Sequence, residues 1–252
     1  MIETKQITKR YQNKTVLNAI DLEVPEKQIT AFIGANGAGK STLLGIVSRL
    51  LKKEGGEVLI DDMDINEWKS KALSKKLAIL KQNNQMTARL TVEDLVSFGR
   101  FPYSQGRLTK DDHEKVDEAL AYMGLEPLRK NYLDALSGGQ QQRAYIAMII
   151  AQDTDYVLLD EPLNNLDMKN AVQMMKTLRR LVDDFGKTII LVLHDINFAS
   201  CYADYMVGLK NGEIVAQGST EEIMTSDKLK DIYDMHLDIT EINQCKYCLY
   251  FK

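Results

Sequence analysis

The sequence is poor in cysteine, has no excess of basic charge and contains no long apolar run. Only 3 of its 252 residues are cysteine, namely Cys201, Cys245 and Cys248. That is too few for a disulfide scaffold, and the usage fits a reducing cytosol. The formal net charge is −4, which argues against a general nucleic-acid-binding protein because such proteins carry a basic excess.

Segments that direct a chain into or across a membrane are also missing from the sequence. No stretch approaches the roughly 18–20 consecutive apolar residues that a membrane-spanning helix needs. The start, "MIETKQITKRY", lacks the apolar and cleavage regions of a secretory signal. We therefore expect a protein that is soluble by itself, which leaves room for a partner embedded in the membrane. Because 44% of the residues are hydrophobic, the chain can build a substantial core.

Strand and helix patterns alternate along most of the chain. The apolar runs "QITAFIG", "YVLLD" and "IILVL" have the length of buried strands, and helical patterns lie between them. The first of these helices, "STLLGIVSRLL" (41–51), is expected to close near the glycine pair at 55–56. From about Thr91 to Gln152 the patterns are helical, without a clear strand.

Two further patterns predict antiparallel strands. Residues 2–11 and 15–24 flank a polar turn, and two later apolar runs flank Asn211-Gly212, a dipeptide suited to a type I′ turn. Together the patterns predict an α/β fold. It has a mainly parallel sheet core, an N-terminal antiparallel β subdomain and an inserted α-helical subdomain. Ligands are expected at the carboxyl ends of the parallel strands.

The segment "GANGAGKS" (34–41) fits the pattern G-x-x-x-x-G-K-S. It follows a predicted strand and opens a predicted helix, which is the context that separates this motif from a chance glycine-rich loop. Glycines let the backbone wrap a phosphate chain, and the helix N-terminus adds positive potential. Lys40 can reach the β- and γ-phosphates, and the Ser41 hydroxyl is a suitable Mg²⁺ ligand. The motif predicts ATP or GTP as ligand, but no reaction yet.

Polar side chains follow three of the predicted strands. Asp160 and Glu161 end the run "YVLLDE", where one carboxylate can support Mg²⁺ and the other can orient a water. His194 and Gln82 follow "IILVL" and "LAILK" in the same way. Taken alone, the two carboxylates indicate only an acidic turn after a strand. The histidine alone indicates a hydrogen-bonded residue at a strand end, and the glutamine alone indicates no function. Beside a phosphate loop they become candidates for a nucleotide site.

A second glycine turn, "LSGGQ" (136–140), also opens a predicted helix. The Ser137 hydroxyl and the glycine N–H groups make a helix N-terminus of this kind a potential anion site. One phosphate chain already has its loop upstream. The sequence alone supplies this second anion site but does not say which phosphate it serves.

The set "GANGAGKS", Gln82, "LSGGQ", "YVLLDEP", "NNLD" and His194, in this order, resembles the nucleotide-binding subunit of ABC transporters over residues 1 to about 225. The resemblance implies a P-loop NTPase (RecA-like) fold with core segments 1–87 and 153–225, a helical subdomain 88–152 and a C-terminal extension 226–252. The implied ligands are ATP and Mg²⁺.

The same resemblance implies a role for each matching residue. Tyr11 would stack on adenine, although an aromatic residue in an N-terminal hairpin is at least as often part of the packing. Glu161 would be the general base, and Lys40 and His194 would contact phosphates. Asp167 would lie at a dimer seam, and Ser41, Gln82 and Asp160 would hold Mg²⁺. The implied ATP contacts are Tyr11, Gly34, Ala35, Asn36, Gly37, Ala38, Gly39, Lys40, Ser41, Thr42, Gln82, Asp160 and, from the other subunit, Ser137, Gly138, Gly139 and Gln140.

A closer resemblance is to the ATPases of iron–siderophore, haem and cobalamin importers. It is carried by "TVEDLVSFGRFPY" (91–103), by residues 143–168 and by residues 194–218. It implies a homodimer on the cytoplasmic face of a bacterial membrane, bound to permease subunits that receive cargo from an extracytoplasmic substrate-binding protein. A ferric siderophore is the expected cargo. Haem, cobalamin or an exporter role stay open, as does a non-transport ABC ATPase. A different phosphate-loop enzyme, such as a kinase, would leave "LSGGQ" unexplained.

Two remaining features carry little functional weight. The basic run "EWKSKALSKK" (67–76) reads as a solvated helix face, with lipid headgroups or a permease as the alternative. Cys245-x-x-Cys248 lacks the second close pair of ligands that a structural zinc site usually has. The apolar tail around these cysteines is expected to pack on the core or on a partner.

Overall fold

The computed structural model describes residues 1–81, 89–164 and 166–250. In chain order its strands are β1 Ile2–Tyr11, β2 Lys14–Val24, β3 Ile29–Ile33, β4 Gly55–Ile60, β5 Met63–Asp64, β6 Leu77–Leu80, β7 Tyr156–Asp160, β8 Thr188–Val192, β9 Tyr205–Lys210, β10 Glu213–Ser219, β11 Asp238–Ile242 and β12 Cys245–Leu249. Its α-helices are α1 Lys40–Val47, α2 Ser70–Lys76, α3 Val92–Phe98, α4 Phe101–Ser104, α5 Lys110–Tyr122, α6 Gly138–Gln152, α7 Met168–Phe185, α8 Ile196–Tyr202, α9 Thr220–Ile223 and α10 Ser226–Tyr233.

These elements form two compact units. The first comprises Met1–Trp68 and Leu178–Lys252, and the second comprises Lys69–Thr177. The subdomain boundaries inferred from the sequence remain predictions. Among the residues that the structure describes, no helix combines the length and the apolar content that crossing a bilayer requires.

The N-terminal part of the first unit is an antiparallel sheet with the order β2-β1-β4-β5. Ile2 of β1 pairs with Val24 of β2 on one side and with Ile60 of β4 on the other. All three side chains are buried, so the two predicted N-terminal strands are confirmed. Their alternation of buried and exposed residues is that of a sheet with one covered face.

The second sheet region of the first unit places β3 between β9 and β8, and both neighbours run parallel to it. Every residue of β3 and β8 is buried, which explains why these strands read as continuous apolar runs rather than alternating ones. β10 pairs antiparallel with β9 through the turn at Asn211 and Gly212, whose φ angles are 51° and 82°. The predicted type I′ hairpin is therefore present.

The second unit contains a short parallel pair, β6 and β7, and a group of helices. Helices α3 and α5 pack on α6. Between residues 89 and 152 the described chain forms helices and no strand apart from a single bridge between Thr91 and Tyr132. The predicted helical insertion is thus observed in this stretch.

Helix α1 is shorter than the sequence pattern predicts, because it ends at Val47 instead of continuing to residue 51. The backbone N–H groups of Leu50 and Leu51 both donate to the Gly45 carbonyl oxygen at 2.9 Å. Arg49 takes a φ of 59°, in the left-handed region. The chain thereby turns back, and the Leu51 side chain fills the space beside Gly45 that any larger residue would occupy.

Candidate functional site

Three glycines of the phosphate loop (34–42) have backbone conformations that other residues rarely adopt. The φ angles of Gly34, Gly37 and Gly39 are 133°, 80° and 106°. A Cβ on Gly34 would lie 2.1 Å from the Leu209 carbonyl oxygen, and a Cβ on Gly39 would lie 2.7 Å from Leu17 Cδ2. The loop between β3 and α1 therefore requires glycine at these two positions for space as well as for conformation.

The Lys40 side chain is folded into this loop. Its residue is only 5% exposed, and Nζ donates to the carbonyl oxygens of Gly34 at 2.7 Å and Ala35 at 3.0 Å. The apex formed by residues 35–37 is exposed, as is Ser41 in the first turn of α1. The loop therefore combines an exposed glycine-rich apex, a buried ammonium group and a helix start, which are the parts of a phosphate-binding loop.

The β9–β10 turn is hydrogen-bonded to the phosphate loop. The Gly212 N–H donates to the Ala38 carbonyl oxygen at 3.1 Å, and the Gly212 carbonyl oxygen accepts from the Asn18 N–H at 2.8 Å. A Cβ on Gly212 would lie 2.5 Å from the Val16 carbonyl oxygen. The turn is therefore fixed to both the loop and strand β2, a role that the hairpin prediction did not include.

His194 lies two residues beyond the end of β8 and is exposed. The next residue, Asp195, is the N-cap of α8, since its carboxylate accepts from the N–H groups of Asn197 at 2.8 Å and Phe198 at 3.4 Å. The histidine is thus held between a buried strand and a capped helix. It borders a cavity of about 370 Å³ whose other lining residues are Asp195, Ile196, Tyr233, Met235, Leu237 and Tyr250.

Tyr11, the last residue of β1, is 48% exposed. The Lys9 ammonium group lies 4.9 Å from the centre of its ring and donates to Glu54 at 2.7 Å. The Tyr11 side chain is therefore not part of the core, which leaves the ring accessible to a planar ligand.

The predicted carboxylates lie at the end of β7 in the second unit. Asp160 is its last residue and is partly exposed. Glu161 has a φ of 52°, a left-handed conformation that costs a non-glycine residue about 1 kcal/mol or more and is frequent at functional sites. The Asn164 side-chain amide donates to the Glu161 carboxylate. Asn164 belongs to the motif "NNLD", whose pattern does not predict this contact.

The "LSGGQ" segment forms a capping box at the start of α6. The Ser137 hydroxyl oxygen accepts from the Gln140 N–H at 3.3 Å, and the Gln140 side chain accepts from the Ser137 N–H at 2.9 Å. Helix α6 begins at Gly138, so both glycines lie within its first turn. A Cβ on Gly139 would lie 3.1 Å from the Asn170 side-chain nitrogen. Glycine here therefore serves close packing rather than a left-handed turn.

Asp167 caps helix α7. Its carboxylate accepts from the Asn170 N–H at 2.7 Å, and the side chain is exposed. Gln82 lies outside the described residues. All predicted site residues except Gln82 lie within the described part of the chain.

Comparison with known proteins decides the family. A family model described as ABC transporter matches residues 17–164. The chain belongs to the ABC transporter family. As a member it is an ATPase that binds ATP.

Close relatives of this ABC ATPase match over nearly their whole length. The petrobactin import ATP-binding protein YclP of Bacillus subtilis is 57% identical over 100% of both chains. The petrobactin import ATP-binding protein FatE of Bacillus anthracis is 49% identical over 95% of this chain and 96% of its own. A bacterial ABC transporter cassette solved as a dimer has a TM-score of 0.78 and 31% identity, covering 87% of this chain and 99% of that one.

The donor chemistry of this ABC ATPase fits Mg²⁺. Ser41 offers a hydroxyl oxygen at an exposed position, and Asp160 offers a partly exposed carboxylate. Hydroxyl and carboxylate oxygens are both ligands of the kind that Mg²⁺ takes. Among the described residues, no group of three or more histidine, cysteine, aspartate or glutamate side chains forms an alternative metal site.

One feature of the C-terminal extension differs from the sequence expectation. Cys201 and Cys245 form a disulfide, whereas the cysteine usage was taken to fit a reducing cytosol. In the disulfide-bonded form Cys245 has no thiolate to offer a metal, so the Cys245-x-x-Cys248 pair lacks one of its two zinc ligands. The two cysteines are separated by 44 positions, so only the packing of β12 on α8 reveals the pairing.

Proposed function

We propose that this ABC ATPase powers the import of a ferric siderophore. The observation that carries the proposal is the full-length similarity to two petrobactin import subunits. The segment "GRFPY" (99–103) supports the same subfamily. Petrobactin is thus the first cargo to test. Haem, cobalamin and an exporter role are the alternatives, because the catalytic residues do not encode the direction or the cargo.

In the proposed mechanism the phosphate loop binds ATP through its N–H groups, the N-terminus of α1 and Lys40. Lys40 exchanges its two loop carbonyl partners for phosphate oxygens, which are stronger acceptors because they are charged. Tyr11 stacks on adenine. Ser41, Gln82 and Asp160 would hold Mg²⁺, which would offset the phosphate charge.

Glu161 orients and deprotonates the attacking water, and His194 donates to the γ-phosphate. The Asn164 side-chain amide donates to the Glu161 carboxylate, and the Glu161 backbone is in the left-handed region with a φ of 52°. Two adjacent carboxylates can therefore take separate roles, one toward the metal and one toward the water.

We propose that two copies of the chain share their nucleotides. The capping box satisfies Ser137 and Gln140 through each other, while the first N–H groups of a helix have no partner within it. The N–H groups of Gly138 and Gly139, with the Ser137 hydroxyl, would then receive the γ-phosphate bound by the other copy. Asp167 would lie at the seam between them.

The dimer would bind permease subunits at the cytoplasmic face of a bacterial membrane. An extracytoplasmic substrate-binding protein would deliver the cargo to the permease. ATP closes the dimer because it binds the closed form better than the open form, and hydrolysis reopens it. No nucleic acid takes part in this cycle.

The catalytic assignment is tested with Glu161→Gln. The variant should bind ATP normally, hydrolyse it at least ~100-fold more slowly because the water loses its base, and elute as an ATP-dependent dimer in gel filtration. Glu114→Gln, at an exposed position of α5, is the matched control and should resemble the wild type. Undiminished hydrolysis, or persistent monomer with ATP, contradicts the assignment.

Ser137→Arg tests the shared site. The arginine would crowd the γ-phosphate of the other copy, so hydrolysis should fail although ATP binding to the variant's own phosphate loop persists. Mixing this variant with Lys40→Ala should restore hydrolysis, because each mixed dimer contains one site built from an intact phosphate loop and an intact LSGGQ segment. Normal hydrolysis by Ser137→Arg alone would show that the segment does not act across subunits.

The cargo is tested by purifying the chain with its native permease and reconstituting the complex in liposomes. Binding protein loaded with ferric petrobactin should stimulate ATP hydrolysis and deliver iron to the lumen. Stimulation by haem- or cobalamin-loaded binding protein instead would replace the siderophore proposal with one of its alternatives.

A further inference from the structure

The disulfide joins the C-terminal hairpin to helix α8. Cys201 lies in the last turn of α8 and Cys245 is the first residue of β12, with their Cα atoms 5.6 Å apart. Both residues are partly exposed. A small thiol in solution can therefore reach the bond, in contrast to a disulfide sealed in a core.

Hydrogen bonds seat the hairpin on α8 independently of the disulfide. The Asn197 side chain accepts from the Cys248 N–H at 2.7 Å and donates to the Cys248 carbonyl oxygen at 3.2 Å. The Ser200 hydroxyl donates to the Lys246 carbonyl oxygen at 2.5 Å. Strand β12 therefore remains aligned with α8 whether or not the two sulfur atoms are bonded, which keeps the two cysteines within reach of each other.

The segment that the hairpin holds is the one that follows His194. Helix α8 begins at Ile196, directly after its N-cap Asp195. Tyr250, which follows β12, lines the same cavity as His194. The hairpin thus touches α8 along its length and reaches the neighbourhood of the histidine at its far end.

We propose that Cys201 and Cys245 form a reversible thiol–disulfide site that exchanges with low-molecular-weight thiols and disulfides and locks the C-terminal hairpin onto the helix after His194. The inference is independent of the proposed cargo, and it assigns the extension a chemistry that the transport cycle does not require.

The exchange balances in two steps. A low-molecular-weight thiolate attacks one of the two sulfurs, the protein S–S bond breaks, and the other sulfur leaves as a thiolate that takes a proton from water. A second thiolate attacks the mixed disulfide and releases the first cysteine, which is also protonated. In total, two small thiols are oxidised to one small disulfide, and the protein disulfide is reduced to two thiols.

Cys248 is the internal reference. It is 2% exposed, and burial, the largest influence, raises the pKa of its thiol, so little nucleophilic thiolate forms. Asn197 hydrogen-bonds to both the N–H and the carbonyl oxygen of Cys248, which holds this residue in the buried strand. We therefore expect Cys248 to remain a thiol in both redox states.

The test counts thiols in the whole chain. The protein is equilibrated in buffers that span reduced to oxidised glutathione, quenched with acid, unfolded and labelled with a maleimide. We expect three labels at the reducing end and one at the oxidising end, with peptide mapping placing the single label on Cys248. Reversal of the buffer should restore three labels. Three labels in every buffer, or a label that moves from Cys248 to another cysteine, overturns the proposal.

Amide hydrogen exchange measures the lock itself. In the oxidised protein, amide exchange in residues 194–202 and 245–249 should be at least ~10-fold slower than in the reduced protein. The disulfide prevents β12 and α8 from separating, so their amides open to solvent less often. Cys248→Ser is the matched control and should retain this difference. Cys201→Ser and Cys245→Ser should abolish it while keeping the hairpin fold, seen in unchanged circular dichroism. Equal exchange in the two redox states of the wild type overturns the lock.

Discussion

Arg100 is a buried cation at the junction of three helices, and its removal gives the sharpest stability prediction. Its Nε donates to the Asp112 carboxylate at 2.8 Å and an Nη donates to the Ala151 carbonyl oxygen near the end of α6 at 2.9 Å. The guanidinium carbon also lies 3.9 Å from the centre of the Tyr103 ring. The Arg100 and Asp112 side chains are only 4% and 3% exposed. Arg100→Met would leave a carboxylate and a carbonyl oxygen buried without this donor.

The magnitude follows from the burial. Removing one partner of a buried ion pair costs about 3–5 kcal/mol, far more than the ~1 kcal/mol limit for an exposed pair. With a urea m-value of about 3 kcal/mol per molar, the unfolding midpoint of Arg100→Met should fall by about 1–1.7 M. Burial acts to raise the pKa of Asp112, but hydrogen bonds from the Thr109 backbone and from Arg100 outweigh it and the net pKa is lowered. Asp112 is therefore ionised near neutral pH, and the ion pair with Arg100 makes its full contribution to the free energy of unfolding there.

Urea unfolding followed by circular dichroism measures this midpoint. Arg107→Met, at an exposed position, is the control and should change stability by no more than about 0.5 kcal/mol. The double variant Arg100→Met/Asp112→Asn removes the orphaned charge but keeps an acceptor for Thr109, so it should regain part of the loss. If Arg100→Met unfolds at the same urea concentration as Arg107→Met, the reasoning from burial is wrong.

Four further substitutions test other parts of the chain. A side-chain hydrogen bond from Arg129, together with one from a neighbouring lysine, lowers the pKa of Glu93 from 4.5 to about 2. Ionised Glu93 therefore stabilises the folded protein above pH 4.5, and this stabilisation is lost as the pH falls toward about 2. In urea unfolding the stability gap between wild type and Glu93→Gln should narrow across that window, and a constant gap contradicts the assignment. Gly39→Ala, at a φ of 106° with its Cβ 2.7 Å from a leucine methyl group, should weaken ATP binding at least ~10-fold in a fluorescent-nucleotide titration. Gly37→Ala, which meets no atom within 4 Å, should weaken it less. Ser137→Ala should cost about 1 kcal/mol in thermal unfolding through loss of the α6 cap, and an unchanged melting temperature would show that the cap contributes nothing.

The sequence predicts strands better than helix ends in this chain. β3 and β8 were predictable because a strand buried on both faces is a short, continuous apolar run. The end of α1 was not, since nothing in "STLLGIVSRLL" signals a stop. Helix α1 ends where Leu51 returns to fill the space beside Gly45, and such a contact is decided by the chain already folded around it.

The features of the site that contiguous residues form could be predicted from the sequence, and those that depend on distant residues could not. The phosphate loop was predictable because its glycines, Lys40 and the helix start are contiguous. The capping box at Ser137 was also readable, because serine and glutamine three residues apart at a helix start form its usual pattern. The contact from Asn164 to Glu161 depends on how the chain turns after β7. The disulfide between Cys201 and Cys245 depends on two elements 44 positions apart.

The β9–β10 turn has a practical consequence for anyone who labels this protein. A two-residue hairpin turn with an exposed asparagine is a usual choice for inserting an epitope or a fluorophore. Here both backbone groups of Gly212 are already used, one by Ala38 in the phosphate loop and one by Asn18. An insertion at this turn would break or strain the hydrogen bond to Ala38, which lies just before helix α1. A tag placed there would therefore respond to nucleotide binding but would also weaken that binding.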